Sequence, residues 1–137
     1  GLQFEVGSVA TDFEHQDIGE ELRLCQRYLQ YFGKKDGVIT DFGLGQAYSI
    51  TKSNLFLDLP VMPRVAPTGI TISGSTNFFL VKADGQTEAT TALTMVRSTL
   101  HLLILQGTVA AGLVAGNATE ILSITDGTFI RTTGCEL

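Results

Sequence analysis

Between Ile18 and Phe32 the apolar residues recur at three- and four-residue steps: Ile18, Leu22, Cys25, Leu29 and Phe32. That spacing draws a single stripe along an α-helix, and Glu21, Arg23 and Gln30 fall off it. Asp17, followed three residues later by Glu20, has the N-cap pattern of a capping box. Gly33 supplies a left-handed stop, and Lys34 and Lys35 suit the negative end of the helix dipole. The stretch from Glu20 to Lys35 therefore reads as an amphipathic helix of about four turns, too short to be stable alone. It needs an apolar surface to lie on. On this reading Leu29 is a core residue and Gln30 faces solvent.

From Val38 onward the period changes to two. In "GITIS" Ile70 and Ile72 share one face and Thr71 and Ser73 the other, whereas "NFFLV" lacks alternation and reads as a strand buried on both sides. Within "EILSITDGTFIRTT" the pair Asp126-Gly127 predicts a two-residue hairpin turn that sets Ile124 opposite Phe129 and Leu122 opposite Arg131. Pro60, Pro63 and Pro67 leave their segment extended at best and confine it to a sheet edge, because proline cannot donate to a ladder. The sum is a mainly β chain: a β-sandwich, jelly-roll-like, with one short N-terminal amphipathic helix. Residues 1–16, strand-like from the start, are expected to be a strand or linker continuing from an upstream domain, with residues 17–137 forming the helix-plus-sandwich domain.

Composition narrows the function classes. Of 137 residues, 44% are hydrophobic and only 17% charged, so the surface must rely on Thr, Ser, Asn, Gln and Gly. The formal net charge is -5 and the longest basic run is Lys34-Lys35, which argues against binding nucleic-acid phosphates. Residues 98–119 carry no formal charge, but His101, Gln106, Asn117 and three glycines interrupt them. Two buried strands, at a subunit contact or in the core, fit this run better than a membrane span, and no membrane insertion is expected. His101 within it reads as a core or interface histidine.

Few residues form a pattern that carries chemistry. "DFGLGQAY" starts like a dinucleotide fingerprint, but Tyr48 stands where the third glycine belongs and no βαβ unit surrounds it, so Asp41 and its glycines read as turn residues. The two histidines, His15 and His101, have no HxH, HExxH or CxxC spacing about them, and neither a zinc site nor any other cofactor is expected. Asp12, Glu14, Asp17, Glu20 and Glu21 read as a solvated helix entry. No motif picks out a nucleophile, and Cys25 and Cys135 permit one bond without making a disulfide framework. The expectation is a non-enzymatic protein.

One resemblance covers the chain in order. "GSVATDFE", then "GEELRLCQRYLQ", then "PVMPRVAPT", then a terminal "CEL" resemble a motif series at the C-terminal end of bacteriophage tail-fibre and related virion appendage proteins. The chain departs from that series where Met62 and Pro63 are exchanged ahead of Arg64, where Leu29 replaces a second Tyr, and where Cys135 replaces Ala. The resemblance implies localisation in the virion, a homotrimer contacting other tail or appendage proteins, and attachment to a host-surface glycan or envelope receptor. A purely structural collar, decoration or assembly module without a ligand is the alternative. Independently, the uncharged run from Leu100 to Ala115 offers more contiguous apolar surface than one small sandwich readily covers, so part of it is expected between subunits. Glycan binding uses exposed aromatic faces together with amides, and the chain has three Tyr and no Trp. The polar stretches from Gly45 to Asn54 and from Gly74 to Asn77 make Tyr48, Asn54 and Asn77 the candidate ligand-binding residues.

Overall fold

The structure, a computed structural model, describes residues 17–135. The expected linker 1–16, with His15, Asp12, Glu14 and the first piece of the motif series, lies outside the described residues, as do Glu136 and Leu137.

The helix begins where its cap predicts. Asp17 Oδ1 accepts hydrogen bonds from the backbone N–H groups of Gly19 (2.8 Å) and Glu20 (3.2 Å), so α1 runs Ile18–Gln26. Glu20 turns to Arg23 instead of reaching back to the cap. The helix ends much earlier than the apolar spacing suggests: Tyr31–Gly33 form strand β1, so Gly33 is a strand residue and not a helix stop. No residue of α1 is buried. Leu22, Cys25 and Leu29 are exposed, and it is Gln30 that is buried. The assignment of faces made from the spacing is thus reversed at Leu29 and Gln30. Its physical cause is long-range strand pairing, which captures the aromatic run around Tyr31 and overrides a local helical period.

The sandwich expectation gives way to a closed barrel. Six antiparallel strands are involved: β2 (Thr40–Ala47), β3 (Lys52–Asp58), β5 (Phe79–Val81), β6 (Thr87–Ser98), β7 (Leu102–Val109) and β8 (Ala118–Ser123). They pair in the order β2-β3-β7-β6-β5-β8, and β8 returns to β2. Strands β4 (Gly69–Ile72) and β9 (Phe129–Thr133) join β1 in a separate three-stranded sheet with β9 at its centre. Alternating side chains serve a sandwich and a barrel equally, since each has one buried and one open face per strand. Closure is decided by bends, and the ladder slips between Asp41 and Gly43, between Thr90 and Ala92 and between Met95 and Arg97.

Gly43 and Gly45 explain why "DFGLGQA" is a strand and not a turn. A Cβ at Gly43 would lie 2.4 Å from the Phe56 carbonyl oxygen, and one at Gly45 2.1 Å from that of Asn54. The glycines let β2 close on β3 at a distance no side chain permits.

Inside the barrel Leu55, Leu57, Leu80, Leu93, Leu103, Leu105 and Ile121 build the core with Phe78. Phe32, Ile70, Ile72 and Ile130 extend it under the second sheet. The uncharged run is accounted for by β7, the loop after it and the start of β8, with Leu103 and Leu105 pointing inward. His101 is exposed in the turn between β6 and β7 and is neither a core nor a buried group. "NFFLV" alternates after all: Phe78 and Leu80 are buried, whereas Phe79 and Val81 are half-buried.

The expected Asp126-Gly127 hairpin does not form. Leu122 pairs with Asp41 and Phe79, and Arg131 with Tyr31 and Thr71. Between β8 and β9 the chain leaves the barrel for the sheet through a hydroxyl cluster, in which Ser123 Oγ bonds Thr128 Oγ1 (2.9 Å) and the Asn77 carbonyl (2.7 Å). Gly127 keeps the positive φ of +74° that its turn chemistry requires. The proline segment makes no ladder at a sheet edge. It is coil, fastened by the Arg64 N–H to the Arg27 carbonyl (2.9 Å) and by the Gln30 amide to the Val61 carbonyl.

Candidate functional site

Two of the three candidate residues meet on the outer face of the barrel. Buried Ser53, Leu55 and Leu57 fix the inward phase of β3, so Lys52, Asn54, Phe56 and Asp58 point outward. Register then places Gln46 of β2 and Gln106 of β7 on either side of Asn54, and Thr94 of β6 beyond Gln106. A row of amides and a hydroxyl crosses four strands. Tyr48 follows β2 directly, where its N–H donates to the Lys52 carbonyl (3.1 Å). Its hydroxyl accepts a 2.6 Å bond from Gln106 Nε2 on β7. Because β3 lies between β2 and β7, the tyrosine side chain has to span β3 to make that bond.

The ring is 47% exposed and Phe56, two residues beyond Asn54, is 45% exposed. Aromatic surface therefore flanks the Asn54 and Gln106 amides on both sides. Gln46 is held by its own bond to the Gly116 carbonyl (3.0 Å). These are neutral donors, acceptors and aromatic faces. Such groups can hydrogen-bond and stack against a ligand.

Asn77 does not belong to this face. It ends a 3-10 turn, Ser75–Asn77. Its amide donates to Ser73 Oγ (3.4 Å), and its carbonyl accepts from Ser123. Its role is to fasten the β4–β5 connection to the end of β8. Sequence reasoning missed Gln46, Phe56 and Gln106. Gln106 had a signal, since it is the polar member of an apolar series at two-residue spacing with Leu102 and Ile104; its neighbours across the barrel had none.

Other concavities lie apart from this face. One of about 200 Å³ at the barrel mouth is lined by Ala47, Lys82, Asp84, Leu113 and Asn117, and Lys82 beside it is engaged by Glu88 at 3.2 Å. Another, of about 320 Å³, separates Arg23, Leu24 and Arg27 from Pro60, Val61 and Met62. Among the described residues no three His, Cys, Asp or Glu side chains are grouped to hold a metal, and no helix is long and apolar enough to cross a membrane. Cys25 and Cys135 are both free thiols, the first exposed and the second buried. Comparison of the chain with protein-family models, curated proteins and solved structures finds no match in any of the three.

Proposed function

We propose that this chain is a non-enzymatic domain of a bacteriophage tail fibre or related virion appendage, assembled as a homotrimer and contributing to attachment at a host-surface glycan or envelope receptor. The observation that supports it most is α1. Ile18 and Leu22 stand exposed on this amphipathic helix, and among the described residues nothing buries them. Apolar surface of this kind marks contacts with other chains, as expected of a domain built to be held by copies of itself and by other virion proteins. The number three rests on the resemblance of the motif series to fibre-tip domains, whose closed symmetry satisfies every copy of one contact.

A second reading, a collar, decoration or assembly module without a ligand, is favoured by Asn77, which is bonded into the fold and separate from Tyr48 and Asn54. Two measurements test the proposal. Light scattering of the domain at micromolar concentration is expected to give the trimer mass, and antibody labelling of phage particles is expected to place the domain at an appendage. A monomer that is absent from particles overturns it. Normal adsorption of phage whose Tyr48 and Asn54 surface has been replaced selects the structural module over the attachment role.

A further inference from the structure

We infer that the outer face of β2, β3 and β7 is a saccharide-binding surface, with Tyr48 and Phe56 as stacking platforms and Asn54 and Gln106 as the hydroxyl-reading groups. The inference rests on the attachment reading and names the ligand class for it. It begins with the tyrosine, whose position is fixed by a bond to its own fold. A side chain that crosses a neighbouring strand and is clamped at its hydroxyl by Gln106 presents its ring as a prepared surface, so little rotamer freedom remains to be lost on binding.

The groups around it match one chemistry. A pyranose ring has apolar C–H faces and a polar rim, so it is held by an aromatic face beside groups that both donate and accept hydrogen bonds. Phe56 and Asn54 project from the same face of β3 at an interval of roughly 7 Å, and Gln106 lies directly across from Asn54. Aromatic, amide pair and aromatic thus succeed one another at about the spacing of a sugar ring. With its amide nitrogen committed to Tyr48, Gln106 keeps its carbonyl oxygen as an acceptor, and the Tyr48 hydroxyl, an acceptor in that bond, keeps its proton to donate.

Charge refines the class. Lys52 stands at one end of the outward row of β3 and Asp58 at the other, with the neutral amides between them. The binding centre suits uncharged sugar units, and its open position on the barrel suits an extended polysaccharide chain lying across the strands.

The test is the full chain on a printed array of bacterial surface polysaccharides and of glucose, galactose and N-acetylglucosamine oligosaccharides. Binding is expected, and Tyr48→Ala or Gln106→Ala is expected to weaken it on the order of tenfold. Tyr48→Phe, which keeps the ring and loses the clamp, should fall between, and Tyr28→Ala, an exposed tyrosine elsewhere, should bind as wild type. Thermal melts establish that each variant is folded; should Tyr48→Ala fail to fold, Asn54→Ala and Gln106→Ala carry the test. An empty array, or binding indifferent to these substitutions, overturns the inference even if the domain proves to be a trimeric appendage. Tyr48-dependent binding by a monomer absent from phage particles upholds the surface and overturns the proposed function instead.

Discussion

Gln30 and Thr132 hold each other twice: the Gln30 N–H donates to Thr132 Oγ1 at 2.9 Å, and the Thr132 N–H donates to the Gln30 carbonyl at 2.9 Å. Both residues are buried. The exchange ties the chain leaving α1 to the central strand of the small sheet. Thr132→Val keeps the shape and removes the acceptor, leaving a buried N–H unpaired, so it should cost about 1–3 kcal/mol in denaturant unfolding. Gln30→Asp buries a charge and should cost more, on the order of 3 kcal/mol or above. Leu29→Asp, at an exposed position, should stay within about 1 kcal/mol in the isolated domain. Equal melting temperatures for Gln30→Asp and Leu29→Asp would contradict this account of the faces.

Lys34 and Asp126 predict a pH dependence. The Lys34 side chain is almost wholly buried, and its ammonium is paired with Asp126. That hydrogen bond, followed by one from the Gly37 N–H, holds the Asp126 carboxyl below its ordinary 3.8. A carboxyl depressed on folding stabilises the protein fully above its unfolded pKa, and the contribution is lost as pH falls through the folded value. Wild type should therefore exceed Asp126→Asn in stability at neutral pH, and the gap should close below about pH 3.8. Melts across the acid range check this, and a gap that widens on acidification would refute it.

Gly45 should not tolerate a methyl group. The Cβ of an alanine would sit 2.1 Å from a backbone carbonyl oxygen, an atom that cannot rotate away. Gly45→Ala is expected to open the β2–β3 pairing at a cost of about 1–3 kcal/mol and to raise amide exchange along both strands. Gly127→Ala is the contrast: nothing lies near its Cβ, so the expected loss of about 1–2 kcal/mol comes from its left-handed backbone alone. Unchanged exchange in Gly45→Ala would remove close approach as the reason for glycine there.

These cases show which parts of the fold could be read from the chain. The Asp17 cap and the positive φ at Gly127 were legible, because each depends on residues within a turn of one another. The inward face of β4 was legible, since Ile70 and Ile72 pack on the core, but that of β5 was not, because "NFFLV" reads as buried on both sides while Phe79 and Val81 are only half-buried. Barrel closure was not, since whether β8 pairs with β2 or folds back on β9 depends on residues far apart in sequence. Gly43 and Gly45 look like turn residues until β3 is beside them. The candidate site divides in the same way. Tyr48 and Asn54 stand out as an aromatic and an amide within one hairpin, but Gln106 reaches them only through strand register, and Asn77 is polar for reasons internal to the fold.

The uncharged run and the helix predict opposite behaviour toward assembly. Leu105 is wholly inaccessible within the barrel core of one chain. A glutamate there would be an unpaired charge in an apolar interior, so Leu105→Glu should unfold the domain, at a cost on the order of 4 kcal/mol or more. Leu22, by contrast, is 57% exposed on a helix with no fully buried residue. Leu22→Glu should leave the far-ultraviolet spectrum and amide protection of the barrel intact while converting the proposed trimer to monomer in light scattering. The direction follows from where each side chain would lose water: Leu105 does so when the chain folds, whereas under the proposed assembly Leu22 would do so at a subunit contact. A folded, monomeric Leu105→Glu variant would contradict the core assignment. A Leu22→Glu variant that keeps the trimer mass would move the subunit contact away from α1, and the trimer would then have to be held by another face of the barrel.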